Sequence, residues 1–533
     1  MSTTPIRVAD AAPMMDGEMT EVDAGGTPVL LARVGGRLHA CAARCPHAGA
    51  PLARGVLDGT RLVCPWHHAQ FDVTTGALCE PPALDGLAVY AVEERDGGVF
   101  VTVTDRPAAE PAAPSAPDDR LFLVIGAGAA AQAAAEALRA EGFAGRIVLT
   151  TPEAEGPYDR TALSKGYAAG KTADAALPLR DAAFQERHGI EVRTGCTAEA
   201  LDVEAKTVRF AVAGAAETLH YDACLVATGG TPRRLPVPGA DLPGVHVLRS
   251  HADARALVEA LGQARQAVVV GASFIGMEVA SALTDRGLAV TVVDRGDVPL
   301  GAALGPDVGG VFRDAAEGKG VSFRLGADIE RVEAEGDGLA GSELAVVLKS
   351  GERLTGDVVV MGVGVRPATD FLAGHPFVRD DGGLEADAAL RLADGLFAAG
   401  DVAAVLDART GRRIRIEHWR LAQQHGRAAA RAMLGSDAPF DGVPFFWTGQ
   451  FGLGLRYVGH AETPDETIVD GLLADRRFIA YTVERGHVVA AAAVGRDADA
   501  AAFHRLLARR LAPTPDEVRS GFDPQTALAA AQG

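Results

Sequence analysis

Apolar and polar positions alternate with a period of two through the first hundred residues. The runs "TPVLLARVGGRLHACA" and "LAVYAVEERDGGVFVTVT", set between Gly-rich turns, predict a small all-β domain over 1–104. "DRPAAEPAAPSAPDD", residues 105–119, is built of Pro, Ala and acidic residues that form no core, and predicts an extended tether. Beyond it the period changes. "LFLVIGAGAAAQAAAEALRAEG" reads as a strand, a glycine turn and an Ala-rich helix, and "RIVLTT" is the next strand. The same series returns at "AVVVGASFIGMEVASALTDRG" and "AVTVVD", so two doubly wound α/β nucleotide-binding domains are expected. From about residue 440, strand patterns and then the helical "DAAAFHRLLARRL" predict a small α+β domain.

A chain of 533 residues with this pattern is multidomain. Its formal charge of -19 repels phosphate backbones and argues against a nucleic-acid partner. No apolar stretch is long enough to predict a membrane span, and no secretory pattern opens the sequence, so a cytoplasmic location is expected. In that compartment the six cysteines read as metal ligands or buried thiols rather than disulfides. Cys41, Cys79, Cys196 and Cys224 are expected to be packing residues.

Cys45 and Cys64 differ from these. "CPHAGAPL" pairs Cys45 with His47, and "CPWHHAQFD" pairs Cys64 with His67. Zinc-finger spacing keeps two cysteines together and two histidines together, whereas here each loop supplies one of each. That mixing suits a two-iron, two-sulfide cluster with thiolates on one iron and imidazoles on the other; zinc and a merely structural loop are the alternatives. The two loops resemble those of Rieske ferredoxin domains. One departure is His68, where such domains often carry Gly; it is expected to be a loop side chain and not a fifth ligand. Compared with high-potential Rieske loops, Ala50 and Pro65 stand at the positions of an extra cysteine pair. Ala69 and Phe71 replace hydroxyl donors, which implies a potential near the low end of the Rieske range, roughly -150 mV.

In "GAGAAA", Gly126 permits a sharp turn, Gly128 lets a pyrophosphate approach the backbone, and the small Ala131 lets helix pack on strand. Thr150 and Thr151 end the following strand, and Glu153 is the nearest carboxylate for a ribose. In "GASFIGME", Gly271, Ile275 and Gly276 repeat the arrangement, with Ser273 at the middle glycine position. Asp294 ends the next strand, where a carboxylate holds ribose hydroxyls and repels a 2′-phosphate, favouring NADH over NADPH.

With "ATGGTPR", "MGVGVRP", "LFAAGD", "PYDRTALSK", "IEHWRLAQQHGRAA" and "PFFWTGQFGLGLRYVG", the chain resembles flavoprotein pyridine-nucleotide reductases. The resemblance is to ferredoxin reductases of oxygenase systems and to the apoptosis-inducing-factor family, especially members with an N-terminal Rieske domain. It implies an FAD-binding domain at 120–240 and 363–438, an NAD(P)-binding domain at 241–362, and a C-terminal reductase interface domain at 439–533. It further implies that Asp401 bonds the FAD ribityl chain, that Arg160 contacts the adenosine or pyrophosphate, and that Gly229 and Gly364 lie against a cofactor. Lys165, paired with Glu278, is expected beside the flavin ring, and Trp447 over or beside it. "YDRTALSK" carries no cysteine pair, which excludes disulfide reduction through a dithiol there. The activity implied is NADH-dependent reduction of FAD, then of the [2Fe–2S] cluster, then of an external redox protein such as an oxygenase or a cytochrome P450. A homodimer is left open. The alternative is a redox-sensing flavoprotein with slow turnover.

Overall fold

The computed structural model describes residues 4–10, 14–104, 118–334 and 343–532. The expected tether at 105–119 therefore lies, save for its last two residues, outside the described residues. Two compact units are present. One holds Met1–Ala112 with Gly442–Trp447 and Leu455–Gly533, and the other holds Ala113–Asp441 with Thr448–Gly454. The N-terminal all-β domain thus shares a packed body with most of the C-terminal domain, which sequence patterning alone had treated as separate.

In the first unit, a six-stranded antiparallel sheet runs in the order Ile6–Asp10, Gly98–Thr102, Val89–Arg95, Arg37–Ala42, Pro28–Val34, Met19–Asp23. A smaller sheet of four strands, Val56–Asp58, Arg61–Val63, Gln70–Asp72 and Leu78–Glu80, stands beside it. Leu30, Cys41, Leu52, Leu62 and Phe71 join the two in one apolar core. Such short strands bury little on their own. The smaller sheet gains cover from the C-terminal helix Asp497–Ala508, where Val56 and Val63 pack with Ala501, Ala502 and Leu506, and from Leu528 of the helix Pro524–Ala530. The alanines on that face let the helix approach closely. Its own domain is a five-stranded sheet from Phe445–Gln450 to His487–Val494, with the short helices Pro515–Arg519 and Pro524–Ala530.

The second unit contains both nucleotide-type sheets. The first runs Ile190–Arg193, Arg146–Thr150, Leu121–Ile125, Ala223–Val226, Leu396–Ala398, Arg391–Ala393, and only its last pairing is antiparallel. Two of these strands come from the segment after the second sheet, so the second β-α-β series is inserted into the first. The helix Ala129–Ala140 lies against Trp419–Met433, and a Cβ at Gly426 would stand 2.1 Å from the Ala130 carbonyl oxygen. Only glycine allows that approach. The second sheet is wholly parallel: Val245–Val247, Val358–Met361, Gln266–Val270, Ala289–Val293, Ser322–Arg324.

Three of the four leftover cysteines, Cys41, Cys196 and Cys224, are buried packing residues as expected. Cys79 is half-buried, at the edge of the small sheet, where its thiol lies 3.6 Å from the Ala77 carbonyl oxygen.

Asp72 fixes the turn that follows the second Cys/His loop. Its carboxylate accepts from the Thr60 hydroxyl at 2.8 Å, the Thr74 N–H at 2.9 Å and the Thr75 N–H at 3.0 Å. Burial works against the charged form, but these bonds outweigh it and hold the pKa down at about 2. The folded value lies below the unfolded one, so this stabilisation is complete above about pH 4 and is lost as the pH falls through about 2. Asp72→Asn is expected to remove about 2 kcal/mol at neutral pH, with the gap to wild type closing below about pH 3. Acid-induced loss of visible absorbance, followed in both proteins, checks this.

Candidate functional site

The two Cys/His loops are closed by their own backbones. In the first, the Cys45 N–H donates to the Ala50 carbonyl at 2.9 Å and Gly49 N–H to that of Cys45 at 2.9 Å. In the second, the Cys64 N–H donates to the Ala69 carbonyl at 2.8 Å and His68 N–H to that of Cys64 at 3.2 Å. This brings the side chains together by type. The two thiols are buried and face each other. The Nδ1 atoms of His47 and His67 stand 2.9 Å apart, their rings edge to face at 4.8 Å.

Each sulfur is met by backbone N–H groups, Cys45 by those of His47 and Ala48 and Cys64 by those of Trp66 and His67. Cys45, hydrogen-bonded to Cys64 and desolvated, is pushed up. Cys64, taking that hydrogen bond, is held below the ordinary thiol value. Zinc needs its donors gathered about one point. Among the described residues no three His, Cys, Asp or Glu side chains do so. A thiol pair and an imidazole pair, with N–H groups aimed at the sulfurs, fit a binuclear cluster with unequal ends.

Two C-terminal residues complete this surround. Trp447, expected against the flavin ring, packs here on the imidazoles: its ring lies 4.4 Å from that of His67 and 5.9 Å from that of His47. Arg456 is 9% exposed, with Nε 3.4 Å from Asp497. Burial draws its guanidinium below the usual arginine value, and the charges of Asp497 and Cys64 oppose that. The same guanidinium favours the thiolate of Cys64. His68 points away from the cluster loops' donors. It is fully buried, its ring stacks on Phe445 at 3.9 Å, and its Nδ1 lies 2.8 Å from Nδ1 of His504.

In the second unit the first glycine turn has the expected geometry. Gly126 has φ +131°, and a Cβ there would stand 2.2 Å from the Ala227 carbonyl oxygen. Gly128 caps the helix that begins at Ala129, and Ala131 is fully buried beneath it. Arg160 reaches over this turn. It pairs with Glu153 at 2.5 Å, and Tyr158 donates to Glu153 at 2.6 Å, so the two residues assigned separately to adenosine recognition form one ion pair. Arg160 also donates to the Arg249 carbonyl at 3.1 Å. Arg249 in turn pairs with Asp401 at 2.7 Å and lies 3.0 Å from where a Cβ of Gly229, φ +67°, would be. Burial alone would lower Arg249, but Asp401 holds it above the usual arginine value. The Thr228 hydroxyl, buried beside Gly229, has no hydrogen-bond partner among the described residues.

At the second turn a Cβ on Gly276 would stand 1.9 Å from the Gly271 carbonyl oxygen, so helix and strand are in close contact. Asp294 accepts from the Ala272 N–H at 2.7 Å and the Gly296 N–H at 2.6 Å, which fixes its carboxylate at the mouth of the turn. Ile275 on the helix's first turn is 45% exposed, and Gly364 has φ +91° on open space. Between these sites, "LSKGY" forms a single wide π-type turn, Leu163–Tyr167. It aims Lys165 at Glu278, 2.9 Å away and buried, which also accepts from Thr448 at 2.6 Å and from Ser164. π-Turns recur at functional sites.

Residues 121–426 match the family described as pyridine nucleotide-disulphide oxidoreductase. The chain belongs to that family. Residues 4–91 match the Rieske [2Fe-2S] domain and 445–532 the reductase C-terminal domain. Apoptosis-inducing factor 3 of Mus musculus is 37% identical over 496 residues, 90% of this chain and 80% of the relative. Rhodocoxin reductase of Rhodococcus erythropolis is 34% identical over 76% of this chain and 94% of its own. A solved ferredoxin reductase from Rhodopseudomonas palustris superposes with a TM-score of 0.72 at 30% identity, covering 77% of this chain and 100% of that one. The chain is thus a Rieske-bearing, apoptosis-inducing-factor-like FAD-dependent NADH oxidoreductase of the ferredoxin reductase type, with FAD, NAD(H) and a [2Fe–2S] cluster as its redox groups. No helix among the described residues of this reductase is long and apolar enough to cross a membrane.

Arg249, Arg456, His504 and Thr228 escaped sequence reading. The reductase uses the first three through partners far along the chain, and no local spacing marks them. Thr228 lies inside "ATGGTPR" and could have been named from that motif. A buried cation near the cysteine end favours the reduced, more negative cluster. Arg456→Met is therefore expected to shift the cluster midpoint negative, on the order of 50 mV. A redox titration followed by paramagnetic resonance checks it.

Proposed function

We propose that this reductase passes electrons from NADH through its FAD to its own Rieske cluster, and from the cluster to an external redox protein. The observation that carries the reading is the pairing of donors by type in the cluster loops, on a chain whose other unit is a dinucleotide reductase. When bound, the flavin exchanges a hydride with the nicotinamide and gives up electrons singly, and the cluster carries one at a time.

The protein's part is binding, alignment and charge. The turns at Gly126 and Gly271 would present helix N-termini to the two pyrophosphates. Arg160 and Thr228 would supply donors to FAD, and Asp401, paired with Arg249, would hold the ribityl chain. Asp294 would hold the ribose hydroxyls of NADH and repel a 2′-phosphate. Cys45 and Cys64 would hold one iron, His47 and His67 the other. Trp447, its ring tilted against that of His67 at 4.4 Å, would keep water from the imidazole end. Glu278 is the counter-charge of Lys165, and an ammonium held beside the flavin ring would favour added electron density there.

The name ferredoxin--NAD(+) reductase, borne by the anthranilate 1,2-dioxygenase system component of Burkholderia cepacia, supports a redox-protein acceptor. Its 35% identity extends over 74% of this chain. The likeness to apoptosis-inducing factor 3 supports a second reading, in which slow turnover sets a redox-sensing state.

Anaerobic NADH titration of the purified holoprotein tests the first reading. Flavin bleaching is expected together with the rhombic paramagnetic signal of a reduced Rieske cluster, and cytochrome c should then be reduced over many turnovers. A cluster that stays oxidised while the flavin is fully reduced overturns it; a long-lived charge-transfer band with minimal turnover selects the sensor. Glu278→Gln removes the counter-charge of Lys165. It should slow NADH-driven flavin reduction about tenfold with FAD still bound, as stopped-flow absorbance would report.

A further inference from the structure

We infer that the cluster domain is held as a permanently docked partner of the C-terminal domain, and that His68 is the residue that locks it there. The inference concerns how the domain is held and does not rest on the direction of electron flow.

His68 follows a ligand histidine directly, in the left-handed region at φ +54°, a conformation that costs any residue but glycine. A side chain kept at such a position against its backbone preference is expected to make contacts that repay the strain. Two of its side-chain contacts lie across the domain boundary. The imidazole is 0% exposed and stacks on Phe445 at 3.9 Å with 22° between the planes. Its Nδ1 is hydrogen-bonded to His504 Nδ1 at 2.8 Å, so one ring donates and the other accepts. His504 belongs to the helix Asp497–Ala508 and is itself buried.

Around this plug the boundary is built like an interface core with a polar rim. Val56 and Val63 meet Ala501, Ala502, Leu506 and Leu528 in one buried apolar cluster. Asp58 takes Arg505 at 2.8 Å and Arg509 at 3.2 Å, and Gln532 donates to the Leu57 carbonyl at 3.0 Å. A domain that swung on a tether during each turnover would have to expose these apolar residues and separate two buried histidines every time.

The test uses the full-length holoprotein with a protease site inserted between residues 105 and 117, nicked after folding. On gel filtration at about 1 μM the Rieske fragment of the wild type should stay with the rest of the chain. His68→Gly keeps the backbone conformation of the cluster loop and removes the plug. It should weaken retention by about thirtyfold or more, as loss of a central interface residue does, while the visible and paramagnetic spectra of the cluster stay those of the wild type. His504→Ala, which lies off the cluster loop, should weaken retention in the same direction and covers the case in which His68→Gly loses its iron. Separation of the nicked wild type overturns permanent docking. Retention of both variants at the wild-type level overturns the role of His68.

Discussion

Thiolates at one end of a two-iron cluster and imidazoles at the other can be supplied only if two loops, distant by some twenty residues, are held side by side. Everything in the first unit follows from that requirement. The loops close on their own carbonyls, but the sheet that carries the second one is made of three-residue strands and has too little interior to be stable alone. It is covered on one side by the six-stranded sheet, through Leu62 and Phe71, and on the other by the C-terminal helix Asp497–Ala508. The C-terminal domain is therefore part of the support of the cluster. Trp447 over the imidazoles and Arg456 toward the cysteines come from the same domain, so both ends of the cluster lie in surroundings set by residues some four hundred positions away.

Much of this was legible in the sequence, and the reason is local. A glycine turn opening a helix, an acid at the end of the next strand and a Cys/His pair two or three residues apart all depend on backbone geometry within a few residues. They read the same in any tertiary context. Gly126, Gly271, Gly276 and Asp294 sit as their spacing demanded, and Lys165 meets Glu278 across 113 positions because a family resemblance, not periodicity, supplied the pairing.

What was not legible depends on contacts between distant segments. Arg249 with Asp401 and His68 with His504 are paired over 152 and 436 residues, and nothing in the neighbourhood of Arg249 or His504 distinguishes it from a surface residue. The ion pair of Glu153, the expected ribose carboxylate, with Arg160 seven residues on is likewise not announced by local sequence. His68 did carry a local sign. A histidine where glycine is the usual residue implies a strained backbone, and strain at a bulky residue points to contacts worth that cost.

The two units treat buried charge by one rule. In the flavin unit, Glu278 would be expensive to bury alone, and Lys165, Ser164 and Thr448 surround it; Arg249 is balanced by Asp401. In the cluster unit, Arg456 has Asp497 at 3.4 Å and the thiolate end of the cluster loops as its counter-charges. A cluster bound by two thiolates and two neutral imidazoles carries less negative charge than one bound by four thiolates, so a single nearby cation changes its balance appreciably. That cation is contributed by the C-terminal domain. If the domain were free to leave, the potential of the cluster would change each time it did. Fixing the boundary with a buried histidine pair would therefore also fix that potential, so the arrangement that stabilises the small sheet would be the one that keeps the cluster at a single potential.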